Sequence, residues 1–315
     1  MKIVLALGGN ALLSDSKDMS SEAQLKKSKE SAKIIVDLIE AGHTISIVHG
    51  NGPQIGQILN SIEIAHKMDR ANILFPFDVV GAFSQGYIGY YLQNAISEEL
   101  KNRKIDKSVG TIVTQIIVDK EDEAFKNPLK PIGVFYSKEE AEVLIKEKGY
   151  TMKEDSGRGY RRVVPSPKPL DIVEKGLIKS LVATGNVVIS CGGGGIPVIL
   201  ENGMIKGIPA VIDKDLAAEK LAEVLEADML LILTGVDKIS INFNKPNERK
   251  LDCVNVEELN RYIEEGHFAP GSMLPKILAC KEFVSGGLNR VSIITSLSKA
   301  KEALIGNSGT KIVFK

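Results

Sequence analysis

The sequence is poor in cysteine and histidine and has no excess of either charge. Its 315 residues include three cysteines and four histidines at scattered positions. The cysteines form neither a C-x-x-C pair nor a disulfide framework, a usage typical of a chain kept in a reducing cytoplasm. Lys and Arg together number 40, as do Asp and Glu. We therefore expect no structural metal and no bulk attraction to nucleic acid or to an anionic membrane.

Long apolar runs are also missing. The opening run, residues 3–7, is too short for the core of a signal peptide. The longest later run, residues 229–233, falls far below the ~18 apolar residues of a membrane span. With 43% hydrophobic and 25% charged residues, the composition is that of an ordinary globular protein. We expect a cytoplasmic protein without a membrane segment.

What the sequence does contain is an alternation of short β-branched runs and longer segments of 3.6-residue period. This alternation predicts βαβ units and a mainly parallel, helix-covered sheet. The predicted strands are residues 3–7, 44–49, 111–118, 187–190, 229–234, 291–295 and 311–314. The capping-box sequence at residues 21–24 predicts the first helix, and Pro53 the start of a second. A third helix is predicted from about Val79 to Leu100, and later helices at residues 216–225, 256–265 and 271–284.

Residues 119–169 interrupt this alternation. They contain five prolines, a charged stretch at 146–148 and a charged, glycine-containing stretch at 155–162, which favours a projecting subdomain or lid over core sheet. An inert surface excursion is the alternative. Residues 201–204 are typical of a hairpin turn.

Three glycine-rich loops follow predicted strands, at Gly8-Gly9-Asn10, Gly50-Asn51-Gly52 and residues 192–195. Glycine lets backbone N–H groups approach a ligand, and ligands of open α/β folds bind at this edge of the sheet. The loops therefore favour an anion or phosphate site, with simple tight turns or a hinge as the alternative. The Gly50 loop does not match G-x-G-x-x-G, and no Gly-Lys dipeptide exists for a P-loop. Cys191 is disfavoured as a nucleophile because no base or acid lies nearby in sequence.

Two lysines stand at predicted helix starts. Lys214, between Asp213 and Asp215, is on the unfavourable side of the helix dipole, which indicates a ligand anion; Asp215 is expected to cap that helix. Lys276 likewise lies in the first turn of a predicted helix, for which Ser272 is the expected cap. A solvent-facing lysine is the simpler explanation of Lys276 taken alone. Together with the glycine loops, these residues describe a phosphoryl-transfer site.

Nine sequence stretches then resemble the carbamate kinase group of the amino acid kinase family, in order from residue 3 to about 296. They are A-L-G-G-N-A (6–11), H-G-N-G-P-Q (49–54), D-E-A-F-K-N-P-L-K-P-I-G (122–133), E-D-S-G-R-G-Y-R (154–161), V-V-P-S-P-K-P (163–169), S-C-G-G-G-G-I-P-V (190–198), A-V-I-D-K-D (210–215), I-L-T-G-V-D (232–237) and G-H-F-A-P-G-S-M-L-P-K (266–276). The projecting subdomain separates this group from most of the family.

The resemblance implies a three-layer αβα sandwich with a mainly parallel central sheet and a projecting subdomain at about 119–169. It implies a carbamate-binding domain over residues 1–208 and a nucleotide-binding domain over 209–315. The implied reaction is reversible phosphoryl transfer between MgATP and carbamate, giving ADP and carbamoyl phosphate, used for ATP synthesis in arginine or related catabolism. The implied Mg²⁺ is carried by ATP phosphates without a protein metal site, and the implied assembly is a homodimer.

The resemblance also assigns roles to individual residues. Lys214 and Lys276 would neutralise the transferred phosphoryl group, Asp213 or Asp215 would orient the lysines, and Lys130 would reach the substrate from the projecting subdomain. The residues alone do not distinguish Lys130 from Lys126. Substrate and phosphoryl group would be held by Gly8, Gly9, Asn10, Gly50, Asn51, Gly52, Gly193 and Gly194. The nucleotide would be lined by Thr234, Gly235, Val236, Asp237 and Met273.

Two alternatives stay open at this point. Another carboxylate kinase of the same fold would form a different acyl phosphate, and would need a side-chain pocket. A non-catalytic nucleotide sensor would be expected to lack a lysine or a glycine loop, and this sequence retains them all.

Overall fold

The chain folds into an α/β structure whose elements follow the sequence periodicity. A computed structural model describes residues 1–13, 18–155 and 157–315. The strands are β1 (Lys2–Leu7), β2 (Thr44–His49), β3 (Val109–Thr111), β4 (Gln115–Ile117), β5 (Lys130–Tyr136), β6 (Met152–Glu154), β7 (Tyr160–Val164), β8 (Asp171–Ile172), β9 (Val187–Ile189), β10 (Ile196–Glu201), β11 (Met204–Gly207), β12 (Met229–Thr234), β13 (Ser240–Ile241), β14 (Arg249–Lys250), β15 (Cys253–Asn255), β16 (Val291–Ser296) and β17 (Thr310–Val313). The helices are α1 (Ser21–Glu40), α2 (Gly52–Met68), α3 (Phe77–Asn102), α4 (Lys138–Lys148), α5 (Lys175–Ala183), α6 (Lys214–Val224), α7 (Val256–Glu264), α8 (Met273–Ser285) and α9 (Ala300–Leu304).

The central sheet has eight strands in the order β15-β17-β16-β12-β1-β2-β9-β3. Its pairings are parallel except for β16 with β17. Strand β1 lies in the middle, and its alternate residues face opposite sides: Ile3 and Leu5 pack in one core, Val4 and Ala6 in the other. Helices α1 and α3 cover the first side, and α6 and α8 the second. The predicted three-layer sandwich is confirmed.

A smaller four-stranded sheet, in the order β11-β10-β4-β8, adjoins the central one. Its β10–β11 hairpin turns at residues 201–204 as predicted. The excursion near residues 119–169 contains a separate three-stranded sheet, β5-β7-β6, and helix α4. This sheet and helix, residues 130–164, form the part of the excursion to which the name projecting subdomain refers from here on. Within the described ranges, no helix is both long and apolar enough to cross a bilayer.

Two local predictions were wrong. Residues 111–118 are not one strand, because the Gln85 side chain donates to the Thr114 carbonyl and accepts from its N–H, which diverts the chain from the central sheet into the smaller one. Helix α1 is capped by Ser20, not by Ser21, because the Ser20 hydroxyl accepts the N–H of Ala23. The first error arises from a contact between segments distant in sequence. The second is a shift of one residue between two adjacent serines.

Candidate active site

The glycine loops meet at one edge of the central sheet. Strands β12, β1, β2 and β9 are neighbours and parallel, so the loops that follow them lie side by side at their carboxyl ends. Open α/β sheets bind ligands at this edge. Topology therefore assembles segments that are far apart in sequence.

Several of these glycines are required by close packing. A Cβ at Gly8 would lie 2.7 Å from the Leu233 carbonyl oxygen, which accepts the Gly8 N–H. Gly194 has a φ of +98°, and a Cβ there would lie 2.1 Å from the Ile212 carbonyl oxygen. A Cβ at Gly50 would lie 3.1 Å from the Lys214 side chain. The glycines thus let the loops, the β12 end and Lys214 converge.

A cavity of about 400 Å³ opens at this convergence. The predicted residues that line it are Gly9, Gly50, Asn51, Gly52, Lys130, Gly193, Asp213, Lys214, Asp215 and Lys276. Gly8 and Gly194 are buried behind the lining. The side chain of Asn10 is not among the described parts of the chain, so its predicted contact stays a prediction. The lining residues lie as far apart in the sequence as Gly9 and Lys276.

Asp215 holds the two predicted catalytic lysines together. Its Oδ1 accepts from Lys214 Nζ at 2.5 Å and its Oδ2 from Lys276 Nζ at 2.9 Å. The carboxylate is 2% exposed and the two lysine side chains 12% and 14%. Charge-assisted bonds of this kind fix both ammonium groups at the cavity wall.

Asp213, rather than Asp215, caps helix α6. Its Oδ1 accepts the Asp215 N–H at 2.9 Å, which leaves Asp215 free to turn its carboxylate toward the lysines. The other oxygen of Asp213 pairs with Lys130 from the projecting subdomain. Lys126, the alternative to Lys130, pairs instead with Glu123 on the surface. The structure therefore brings Lys130 into the site and leaves Lys126 outside it.

Burial and charge shape the titration of these groups. Burial lowers the pKa of Lys214, helped by neighbouring Lys276 and opposed by Asp215 and Asp213. Burial would also lower the pKa of Lys276, but Asp215 outweighs it and raises that pKa. Burial would raise the pKa of Asp213, but Lys130 and Lys214 hold it well below its usual range. The Asp213 carboxylate is consequently ionised at neutral pH.

Two other titratable groups at the loops are neutral at pH 7. Burial lowers the pKa of His49 to about 4, and its Nδ1 lies 3.0 Å from the Gly50 carbonyl oxygen. Burial raises the pKa of Cys191 to about 12, which agrees with the expectation that this thiol is no nucleophile. The positive charge of the site therefore comes from lysine and arginine.

Sequence reasoning missed the residues that hold the loops from helix α3. Ser84 Oγ accepts from the Asn51 amide at 2.7 Å, and Gln85 clamps Thr114. The Thr114 hydroxyl accepts the N–H of Cys191 at 3.0 Å, where the third glycine loop begins. These partners lie 29 to 77 positions apart in sequence, so no local signal could have identified them.

The projecting subdomain adds two arginines to the cavity wall that were not predicted. Arg158 and Arg161 both pair with Asp155, at 3.2 and 3.3 Å. Both guanidinium groups also lie over the Phe135 ring. Both arginines lie within residues 154–161, one of the stretches that resemble the family. That resemblance could have identified them as site residues.

A second cavity of about 580 Å³ adjoins the first, and both are lined by Ala269, Ser272 and Lys276. Of the predicted nucleotide residues, Thr234, Gly235, Val236 and Met273 line it. Asp237 is exposed and does not belong to the lining in the described part of the chain. Residues that were not predicted complete the wall: Lys238, Ser240, Asn242, Phe243, Lys245, Glu265, Gly266, His267 and Phe268. Apolar side chains beside lysines suit a flat base joined to phosphates.

Comparison with known proteins shows the family to which this chain belongs. Residues 1–295 match the model of the amino acid kinase family, and the chain belongs to this family. Within it, the chain is 67% identical to carbamate kinase of Clostridium perfringens, over 99% of this chain and 100% of that protein. It is 55% identical to a carbamate kinase-like protein of Escherichia coli, over 99% and 98%.

A solved structure agrees with these relatives. The fold matches carbamate kinase from Giardia lamblia bound to AMP-PNP, with a TM-score of 0.90 and 43% sequence identity, over 100% of this chain and 98% of that one. The resemblance to the carbamate kinase group, first drawn from the nine motifs, is confirmed.

Proposed function

We propose that this chain transfers a phosphoryl group reversibly between MgATP and carbamate, giving ADP and carbamoyl phosphate, the activity of a carbamate kinase. The observation that carries the proposal is the group of Lys130, Lys214 and Lys276, held by two buried aspartates where the two cavities adjoin. Such a site neutralises charge between two anionic reactants. The high identity to carbamate kinases supports carbamate as the acceptor.

The chemistry needs no protein nucleophile. Carbamate is already an anion, so its oxygen can attack the γ-phosphorus directly, and ADP leaves. The main barrier is repulsion between carbamate and the triphosphate, together with the charge on the equatorial oxygens of the transferred group. Lys214 and Lys276 are assigned to those oxygens, and Lys130 to the substrate. Asp213 and Asp215 hold the ammonium groups in place before the substrates arrive, which avoids reorganisation during transfer.

The metal is assigned to ATP rather than to the protein. Both carboxylates at the junction are engaged by lysines, and the described residues contain no group of three or more His, Cys, Asp or Glu side chains arranged for a metal ion. Mg²⁺ binds readily through phosphates and water. We infer that it enters with ATP or ADP and helps to neutralise the phosphates.

We propose that the two cavities bind different substrates. We assign adenosine to the larger cavity, whose lining falls within residues 234–276, consistent with a nucleotide domain over 209–315. Carbamate is assigned to the smaller cavity, which takes its glycine loops from the part before residue 208. We also propose a cytoplasmic location, because the isolated cysteines are typical of a reducing compartment.

The direct test is ATP formation from ADP, Mg²⁺ and fresh carbamoyl phosphate, followed by luminescence. We expect rapid ATP synthesis well above the background without enzyme. Acetyl phosphate at the same concentration is the matched alternative donor, and should be used far less well. Folded protein that makes no ATP from carbamoyl phosphate, or that prefers acetyl phosphate, would contradict the proposed substrate.

We also propose that the chain is a homodimer. Apolar side chains at least 40% exposed cluster at the end of α2, in the following loop and on α3: Ile64, Met68, Ile73, Leu74, Phe75, Phe83 and Tyr90. A surface of this kind is typical of a protein interface. Light scattering should give twice the mass of one chain, and Ile73→Asp should give the monomer mass. A monomeric parent protein would refute the proposal.

A further inference from the structure

The projecting subdomain rests on helix α2 through an apolar cluster that contains Ile55, Ile132 and Val164. Two further contacts between them are not used by the reaction chemistry. Helix α2 begins at Gly52, in the substrate loop. Strand β5 begins at Lys130, which reaches Asp213. The two elements that carry these site residues therefore also touch each other away from the cavity.

The first contact is between backbones. A Cβ at Gly56 would lie 2.0 Å from the Cα of Gly133, and Gly133 itself has a φ of +72°. The close approach requires position 56 to lack a side chain, and the positive φ favours glycine at position 133. Gly133 lies three residues after Lys130 on β5, so this contact fixes the strand close to the lysine.

The second contact is the side chain of Glu63, further along α2. Its carboxylate accepts from Lys148, at the end of α4, and from the Tyr150 hydroxyl. Arg162 on β7 lies 3.9 Å from the same carboxylate, and its guanidinium lies 3.7 Å from the centre of the Tyr150 ring. One residue of the main body thus holds three parts of the projecting subdomain.

Glu63 is remote from the reacting groups. It lies eleven positions after Gly52 along α2, a rise of about 17 Å at 1.5 Å per residue. It lines a separate small cavity with Gly56, Gly133 and Tyr136. It therefore lies too far away to touch the substrates assigned above, and its side-chain partners Lys148, Tyr150 and Arg162 all belong to the subdomain.

We propose that Glu63 is a positioning residue for Lys130. The apolar cluster and the Gly56–Gly133 contact seat β5 on α2 without directional bonds, and Glu63 adds charge-assisted hydrogen bonds that fix the orientation of the subdomain. With both in place, Lys130 is held on Asp213 beside Lys214. This inference rests on the proposed phosphoryl transfer, since Lys130 is measured through that reaction.

A double-mutant cycle in the ATP-forming assay tests the inference. Glu63→Ala is expected to lower kcat/KM for carbamoyl phosphate about tenfold, and Lys130→Ala more. If Glu63 acts through Lys130, adding Glu63→Ala to Lys130→Ala changes kcat/KM by less than about twofold. Losses that multiply in the double variant would overturn the inference, as would an unchanged Glu63→Ala enzyme.

Two controls separate positioning from folding and from the choice of substrate. Glu98→Ala removes a comparable surface pair with Lys29 and should leave kcat/KM unchanged. Glu63→Gln retains a side chain that can accept from Tyr150, and serves if the alanine variant does not fold. Amide hydrogen exchange of residues 130–136 should rise in the Glu63 variants and not in Glu98→Ala. That readout is independent of activity, so an inactive parent enzyme would refute the proposed function while exchange still decides the role of Glu63.

Discussion

Lys214→Ala and Lys276→Ala are each expected to lower kcat for ATP synthesis by about 10²- to 10³-fold, the loss that follows removal of one preorganised donor to transition-state charge. Each ammonium group is held on Asp215 at the cavity wall and is largely withdrawn from water. A charge in such a site acts more strongly on a developing anion than it would in bulk solvent. The assay is steady-state ATP formation at saturating ADP and carbamoyl phosphate.

The matched control for Lys276 lies on the same helix. Lys281 donates to Asn260 on the surface at 2.9 Å, and Lys281→Ala should retain full kcat. Folding should survive the site substitutions, because Asp215 keeps one lysine partner in either single variant. A kcat within threefold of the parent enzyme in both site variants would show that these lysines do not neutralise the transferred group.

Asp215→Asn is expected to produce the largest loss of stability at the site. The asparagine has nearly the same shape but leaves two largely buried ammonium groups without their shared counter-charge. Removing one partner of a buried ion pair costs about 3 to 5 kcal/mol. Urea unfolding should show this decrease in the free energy of unfolding, and kcat should fall because Lys214 and Lys276 lose their orientation.

The same substitution has a predictable effect on pH dependence. Burial already lowers the pKa of Lys214, and Asp215 is the largest influence raising it. Without the carboxylate, that pKa falls further, so Lys214 loses its proton at a lower pH. The alkaline limb of the pH–rate profile should move to lower pH in Asp215→Asn.

A surface carboxylate provides the control for both effects. Glu98 pairs with Lys29 and is 54% exposed, so Glu98→Gln should change stability by less than about 1 kcal/mol. Its pH–rate profile should match that of the parent enzyme. Equal free energies of unfolding for Asp215→Asn and Glu98→Gln would contradict the role of Asp215 as the shared counter-charge of Lys214 and Lys276.

The fold was largely predictable because buried parallel strands are short, β-branched and separated by amphipathic helices. Strands β1, β2 and β12 were found within one residue for this reason. The break between β3 and β4 was not predictable, because it depends on Gln85, 29 positions away from Thr114. Local periodicity carries no information about such a partner.

The candidate site was predictable where glycine loops follow strands and where a charged residue is unfavourable in its local setting. Lys214 attracted attention because a cation at a helix start is unfavourable, and it lies in the cavity. The choice of cap was wrong because the sequence D-K-D does not tell which carboxylate turns back to the backbone. Lys130 needed the resemblance, and Ser84 and Glu63 were missed, since each depends on contacts between distant segments.

The most direct test of the central claim is the rate of ATP formation from ADP, Mg²⁺ and carbamoyl phosphate by the parent enzyme and by Lys214→Ala, measured side by side on folded protein. We predict rapid synthesis by the parent enzyme and a fall of about 10²- to 10³-fold in the variant, with ADP affinity retained. No synthesis by the parent enzyme, or equal rates for the two proteins, would contradict a lysine-based phosphoryl transfer to or from carbamate.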